Sequence, residues 1–278
     1  MSPTPDQRRR LQAWGVHSLT QVDDHPFAWW ARCGEDYVVV KAGDIAERAR
    51  ETHALRALGP GVTSVTEHDA DLGLLVTRRV LPGDDIRPLA RIDDDAATLA
   101  VAQLARSLHS DHSAPVGLPE LGDLGAALVG PVDPRLPEHV VRDAHRVFVD
   151  LMGDARDAVV LHGDLQHLNV LNSGEGWCAI DPHGWVGDPA FEAAALLASP
   201  RGLVEAGDAR GMDGGTLAQL TRRRAAIYAE TTGYDEARIL AWALVGCAVA
   251  EVRMVTVHDL VHGAPLAVAE RLLSDGVG

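Results

Sequence analysis

Residues 161–170 read L-H-G-D-L-Q-H-L-N-V, and residues 179–182 read A-I-D-P. Apolar residues flank Asp164 and Asn169. The turn-rich run N-S-G-E-G at residues 172–176 then sends the chain back as a second short strand that ends near Asp181. A carboxylate, a carboxamide and a second carboxylate on one loop and hairpin are the three oxygen-bearing groups that a metal-assisted phosphoryl transfer needs. Singly, each is an ordinary turn or cap residue. Together, with His162 in front, they constrain the fold to one that gathers them at a cleft.

An ionised carboxylate at Asp164 can accept the proton of a substrate hydroxyl and hold it in line for attack. Asn169 offers a neutral oxygen and Asp181 a charged one, a set that suits Mg2+ shared with substrate phosphates. His162 and His167 flank Asp164, but a two-metal phosphoesterase needs further His/Asp motifs of the G-N-H kind, and the chain has none. His162 is expected to pack the loop and His167 to be incidental.

The chain has 25 Lys and Arg residues, of which Lys41 is the only lysine. Lysine and arginine are not interchangeable where a compact ammonium must fit. Lys41 closes the β-branched run Y-V-V-V-K, and the helix expected over residues 44–58 follows. In a nucleotide site such a lysine touches the α- and β-phosphates and is held by a helix glutamate. Glu47 stands three residues after the N-cap candidate Asp44 and is assigned to the helix terminus. Glu51 shares a stripe with Leu55 and Leu58 and is assigned to Lys41, a surface pairing with Arg48 or Arg50 being the alternative.

Strands are expected at residues 17–22, 27–31, 37–41, 62–67 and 73–77, with a short helix at 6–14. The L-P-G break at residues 81–83 separates this small lobe, residues 1–80, from residues 81–278. Beyond it, apolar periodicity predicts helices at 95–110, 138–156, 190–198, 216–231, 235–257 and 265–273. The formal net charge of -15 disfavours nucleic acid. It serves solubility or recruits a polycationic substrate. Three widely spaced cysteines indicate neither a disulfide framework nor a zinc site. The apolar stretch 237–257 is interrupted by Arg238, Glu251 and Arg253, too polar for a membrane span, and the N-terminus lacks a signal-peptide core. A cytoplasmic address is the expectation.

The motif H-G-D-x4-N, the following I-D-P and the G-D-P at residues 187–189 resemble those of the aminoglycoside phosphotransferases. Within them the chain is most similar to the streptomycin 6-phosphotransferase and hydroxyurea phosphotransferase branch. The runs W-C-A-I-D-P-H-G-W-V-G-D-P-A-F-E at 177–192, E-T-H-A-L-R-A-L at 51–58, G-L-L-V-T-R-R-V-L-P-G at 73–83 and L-A-R-S-L-H at 104–109 support this. The resemblance implies an α+β, bilobal protein-kinase-like fold: a small β-rich lobe with one main helix, and a larger, mostly helical lobe. It also implies ATP or GTP as donor, Mg2+, and a small-molecule acceptor. Asp164 matches the catalytic aspartate, Asn169 and Asp181 the metal ligands, and Lys41 and Glu51 the nucleotide ion pair. Thr77 matches the residue at the back of the adenine pocket, and the backbones of Arg78 and Val80 the adenine hydrogen bonds.

The chain departs from the family at the loop between its first two strands. This reads Q-V-D-D-H-P without glycine, and Asp23 and Asp24 would repel phosphates. Gln166 stands where histidine or lysine is usual, Arg78 where glutamate is usual, and Glu192 where aspartate is usual. The last change is expected to touch only lobe packing. A cationic or polyhydroxylated acceptor would favour carboxylates, so Asp84, Asp85, Glu251 and Asp259 are the acceptor-side candidates. A monomer or weak dimer, with no nucleic-acid or membrane partner, is expected. A nucleotide-binding pseudokinase, suggested by the glycine-free loop, and a kinase of another sugar or metabolite are the alternatives. A protein kinase is disfavoured, because no A-P-E segment follows Asp181.

Overall fold

The structure, a computed structural model, describes residues 2–23, 25–109, 117–154, 157–198 and 214–278. Asp24 and the expected helix ends at residues 110 and 155–156 lie outside them. Helix α1 (Pro5–Ala13) is opened by a reciprocal cap: the Thr4 hydroxyl accepts from the Gln7 amide, and the Gln7 side chain accepts from the Thr4 amide. Strands β1 (Val16–Val22), β2 (His25–Cys33), β3 (Asp36–Ala42), β4 (Val65–Asp69) and β5 (Leu74–Arg78) form an antiparallel sheet in the order β1-β2-β3-β5-β4.

Strand alternation decides which groups reach the cleft. Val38, Val40 and Ala42 of β3 pack with Trp29, Ala31, Leu74, Val76 and Leu11 of α1 into a small core. Val39 and Lys41 therefore project from the other face, opposite Thr77 and Leu75. Helix α2 (Ile45–Ala57) is capped by Asp44, whose carboxylate accepts the Glu47 amide at 2.9 Å. Its buried face carries Glu51, Ala54 and Leu55.

The larger lobe contains α3 (Arg87–Ile92), α4 (Asp94–Leu108), a 3-10 helix (Leu121–Leu128), α5 (Glu138–Gly153), α6 (Ala194–Ala198), α7 (Gly214–Thr232), α8 (Glu236–His258) and α9 (Ala264–Ser274). Two short antiparallel pairs sit at its top: β6 (Val159–Leu161) with β9 (Trp185–Gly187), and β7 (Val170–Asn172) with β8 (Trp177–Ala179). Helix α8 is long and apolar enough to cross a membrane by length and composition. Here it is the central core helix, packed by α5, α6, α7 and α9, and 61% of its most apolar window is buried. Packing, rather than the three charges read from the sequence, settles its place.

Trp242 of α8 lies edge-on to Phe148 and Phe191, with ring centroids 6.1 and 5.3 Å away. Its indole N–H donates to Asp188 Oδ2 at 2.7 Å, and Arg238 pairs with the same carboxylate. Asp188 Oδ1 accepts the Ala190 amide at 2.9 Å. The aspartate of the G-D-P motif is thus the pin between the motif region and the core helix.

Two helical segments lie outside the elements expected from the sequence. Helix α3 is short, and the 3-10 helix contains Gly122 and Gly125. A Cβ at Gly125 would lie 2.2 Å from the Phe148 ring, so its absence lets this segment lie flat on α5. Strand β4 starts later than residue 62, because Val62 forms a parallel bridge with Ala179 and the Thr63 amide donates to the Ala179 carbonyl at 3.0 Å. Residues 83–86 likewise lie along β7: the Gly83 amide donates to Asn172 O and the Ile86 amide to Val170 O, both at 3.0 Å.

Asp188→Ala leaves a buried guanidinium and an indole N–H without their shared acceptor. We expect a loss of about 3 kcal/mol of unfolding free energy in urea titrations. A loss below about 1 kcal/mol, the range of ordinary surface changes, would refute the pinning role.

Candidate active site

The loop between β6 and β7 is held from beneath. Its two amides beyond β6 cannot join the β6–β9 ladder. The His162 amide donates to Glu192 Oε2 at 2.7 Å, and the Gly163 amide to Glu192 Oε1 at 2.8 Å. Glu192 is 1% exposed and also accepts from His109 Nε2 at 3.0 Å. Burial pushes its carboxyl up, but the His109 hydrogen bond, with the neighbouring His109 and His162 rings and the Gly163 amide, holds it below the usual range. The expectation that Glu192 touches only lobe packing is therefore corrected: it anchors the catalytic loop.

His162 is fully buried and, by that burial, held below the usual imidazole range. Its Nε2–H donates to Ile180 O at 2.8 Å, and Nδ1 accepts the Asp164 amide at 3.3 Å, which fixes a neutral tautomer. It ties the loop to β8 just before Asp181.

Asp164 is oriented by two carboxamides on one oxygen. Asn169 Nδ2 donates to Asp164 Oδ2 at 2.8 Å and Gln166 Nε2 to the same Oδ2 at 3.0 Å. Asn169 Nδ2 also reaches the Asp164 carbonyl at 2.8 Å. Asn169 thus spends its donor on Asp164 and keeps Oδ1 as an acceptor. His183 Nε2 lies 4.0 Å from Asp164 Oδ2. Gln166, read from the sequence only as a lost cation, is a hydrogen-bond donor to the Asp164 carboxylate.

Lys41 reaches from β3 to both lobes. Its Nζ donates to Glu51 Oε1 at 2.6 Å and to Asp181 Oδ1. Burial works against the ammonium, but Asp181 and then Glu51 outweigh it and hold Lys41 above the usual lysine range. Burial also opposes the Asp181 charge, and Lys41 overcomes it, leaving Asp181 below the usual range. Arg48 grips Glu51 Oε2 at 2.5 Å and pairs with Glu47, so Glu47 stays at the helix terminus.

Three cavities meet around these groups. One of about 190 Å3 lies under the sheet, walled by Val39, Thr77, Leu171 and Ile180 and by the chain at Arg78–Val80. Thr77 is 3% exposed. The Arg78 amide donates to Ser64 O at 2.9 Å and its carbonyl accepts the Thr63 hydroxyl at 2.7 Å, which leaves that carbonyl a second lone pair. The Arg78 side chain is exposed and points at Asp36. A second cavity, of about 170 Å3, is lined by Lys41, Arg48, Arg50, Asp164, Asn169 and Asp181. A third, of about 240 Å3, lies beyond Asp164 against Trp185, Phe191, Val249 and Met254, with Gln166, His183, Arg253 and His262 as its polar lining.

The four acceptor-side candidates are elsewhere. Glu251 is fully buried, and its Oε1 accepts the His262 and Gly263 amides at 2.6 and 2.8 Å. Asp259 ends α8 at φ 54° and pairs with Arg135 at 2.9 Å. Asp85 makes a two-pronged contact with Arg87, and the Asp84 carbonyl accepts the Asn172 amide at 2.8 Å. None lines the third cavity, whose only carboxylate among the described residues is Asp164. Asp85 and Asp259 are held in ion pairs and Glu251 by a turn, while the Asp84 side chain is exposed, so none of the four faces that cavity.

Among the described residues no cluster of three His, Cys, Asp or Glu could hold a metal unaided. The free Asn169 Oδ1 and the Asp181 carboxylate in one cavity fit Mg2+, which keeps few protein oxygens and completes its shell elsewhere.

A carboxylate between two cavities, a lysine held by a helix glutamate, and a two-lobed frame define a phosphotransferase with an alcohol group as acceptor. The chain belongs to the aminoglycoside/hydroxyurea antibiotic resistance kinase family, whose model matches residues 35–257. It is 34% identical over 230 residues to a streptomycin 6-kinase of Streptomyces griseus, covering 77% of this chain and 69% of that one. It is 36% identical over 160 residues to a hydroxyurea phosphotransferase of Kitasatospora aureofaciens, covering 54% and 46%. Among solved structures it is similar to aminoglycoside phosphotransferase APH(4)-Ia in complex with ADP and hygromycin B. That match has a TM-score of 0.71 at 15% identity and covers 99% of this chain and 100% of that one.

Glu192→Ala should lower kcat on the order of 100-fold, since loss of the loop anchor displaces Asp164. Nucleotide affinity should stay within a few-fold, because the Lys41 side of the cleft is untouched. Unchanged kcat would refute the anchoring role. His167 offers a second test. It is 1% exposed, neither ring nitrogen has a partner, and burial, aided by Arg224, holds it at about 4 against 6.5 when unfolded. The unfolded chain takes up this proton first, so stability present above pH 6.5 is lost as pH falls toward 4, by roughly 3 kcal/mol. His167→Leu should flatten that limb in unfolding measurements at pH 7 and pH 4.5. The same loss in the variant would show that His167 does not drive it.

Proposed function

We propose that this protein transfers the γ-phosphate of ATP to a hydroxyl of an aminoglycoside-type acceptor, with streptomycin-like molecules the leading class. The observation that carries this is that Asp164 and His183 line both the Lys41 cavity and the cavity beyond it. A donor on one side and an acceptor on the other would meet at Asp164. The curated relatives, a streptomycin 6-kinase and a hydroxyurea phosphotransferase, support the substrate class.

On this reading residues 1–80 hold the nucleotide and residues 81–278 the acceptor. The adenine lies between Val39 and Leu171 under Thr77, with the Arg78 carbonyl and Val80 amide as its hydrogen-bond edge. A guanine donor, GTP, would meet the same edge. Lys41 holds the α- and β-phosphates. Asn169 and Asp181 would hold Mg2+, which when bound offsets phosphate charge. Asp164 Oδ2 is occupied by Gln166 and Asn169, so Oδ1 takes the hydroxyl proton. The acceptor oxygen forms a bond to the γ-phosphorus as the bond to the ADP oxygen breaks. A reaction that draws on ATP would run in the cytoplasm.

The third cavity is smaller than the roughly 300–1,000 Å3 of sites that enclose a drug-sized ligand, so it takes one ring of a large acceptor. Its apolar wall favours a second reading, a small uncharged hydroxyl compound of the hydroxyurea kind. ATP consumption and product mass measured against streptomycin, other aminoglycosides, hydroxyurea and amino sugars separate the two. Asp164→Ala should lower turnover with the productive acceptor by at least about 1,000-fold while ATP still binds. Near wild-type turnover would remove the catalytic assignment.

A further inference from the structure

A phosphate-covering loop works by presenting backbone amides, which requires glycines for close approach. This chain has no glycine between Gly15 and Gly34. In the structure β1 and β2 pair down to Val22 and His25, so only residues 23 and 24 separate the strands. Asp23 is exposed and absent from the lining of all three cavities. Among the described residues the tip sends Val22 and His25 to the cavity under the sheet and adds nothing to the lining of the Lys41 cavity.

That cavity nevertheless has cations to spare. Lys41 is shared by Glu51 and Asp181, and Arg48 by Glu47 and Glu51, with its buried Nε left unpartnered. Arg50, two residues further along α2, lines the same cavity and has no carboxylate partner among the described residues. Its guanidinium lies over the Trp185 ring, 5.9 Å from the centroid. Trp185 in turn walls the acceptor-side cavity. The indole face therefore positions an uncommitted, fork-shaped donor at the border between the two cavities.

We propose that Arg50 is a phosphate-binding residue that replaces the glycine-loop amides, gripping the terminal phosphate of the nucleotide at the border with the acceptor. This rests on the kinase reading above. Guanidinium donors match phosphate oxygens two at a time, and the cation–π contact with Trp185 keeps the fork at this border. Charge points the same way. Glu47, Glu51, Asp164 and Asp181 crowd the cavity, so a triphosphate needs a cation not already neutralised.

The test is equilibrium binding without acceptor, by calorimetry, of Mg·ATP, Mg·ADP and adenosine to wild type, Arg50→Ala and Arg50→Lys. A thermal melt of each unliganded protein reads the fold. Wild type should prefer ATP over adenosine. Arg50→Ala should weaken ATP about 10- to 100-fold and adenosine less than twofold, with an unchanged melt. Arg50→Lys, which keeps the charge but not the fork, should fall between. If the wild-type preference survives in Arg50→Ala within twofold, the Arg50 assignment is overturned and the kinase reading stands. If wild type shows no preference for the triphosphate, both fall.

Discussion

The buried carboxylate of Glu192 is the contact on which the rest of the site depends. Where β6 ends, the chain must leave the ladder to form a catalytic loop, and two amides are left without strand partners. An unsatisfied buried amide costs about 1–3 kcal/mol. One carboxylate serves both, and His109, the C-cap of α4, donates to it from behind. Gly163 is required at the same spot: it adopts φ 75°, and a Cβ there would lie 2.5 Å from the Trp185 ring. With the loop fixed at its root, His162 can cross to Ile180 and set Asp164 and Asp181 in a common frame. A few residues earlier, Asp188 does for α8 what Glu192 does for the loop. Two acids in G-D-P-A-F-E thus join core and chemistry.

Lys41 explains itself in the same terms. An arginine-rich composition left one lysine, at a place where the cation must touch Glu51 from one lobe and Asp181 from the other. An ammonium presents three donors around a point, so it can serve both carboxylates and keep a third direction for a phosphate oxygen. A planar guanidinium directs its donors into one plane and would commit to one partner. Strand alternation delivers the group: Val38 and Val40 go into the small core, so Lys41 must face the cleft. Asp181 meets it from a left-handed backbone at φ 60°, a conformation that costs a non-glycine residue about 1–2 kcal/mol. The hydrogen bond from Ile180 to Asn169 holds the hairpin at that point.

Local signals carried the parts of this structure that are local. The spacing of Asp164, Asn169 and Asp181, the β-branched run before Lys41 and the stripe holding Glu51 each depend on neighbours a few residues away. The sheet and the periodic helices were legible for the same reason. The segments 87–92 and 121–128 were not: the first is a single short helix with Pro88 in its first turn, and in the second Gly122 and Gly125 break up the Leu121, Leu124 and Leu128 spacing, so contact with other helices shapes them. The role of Glu192 depends on residues about thirty and eighty positions distant, which no window of sequence samples. Glu251 was read correctly as a charge inside an apolar helix. What sequence could not say is that the turn at His262–Gly263, rather than the cleft, lies opposite it.

That misplacement bears on what the net charge of -15 can do. A surplus of carboxylates suggests an acidic acceptor site only if the acids are free to face it. Here Asp85, Asp94, Asp188 and Asp259 are each taken by an arginine, and Glu192 and Glu251 by backbone amides. Pairs of this kind cancel at short range, so what survives outside is a diffuse negative field. Such a field raises the local concentration of a cationic acceptor and is screened within about 10 Å at ordinary salt. It cannot select one hydroxyl from another. On the proposed function, that selection would fall among the described residues to the apolar wall of Trp185, Phe191, Val249 and Met254 and to the donors Gln166, His183, Arg253 and His262. On that reading attraction and discrimination are separate, the first spread over the surface and the second confined to the wall beside Asp164.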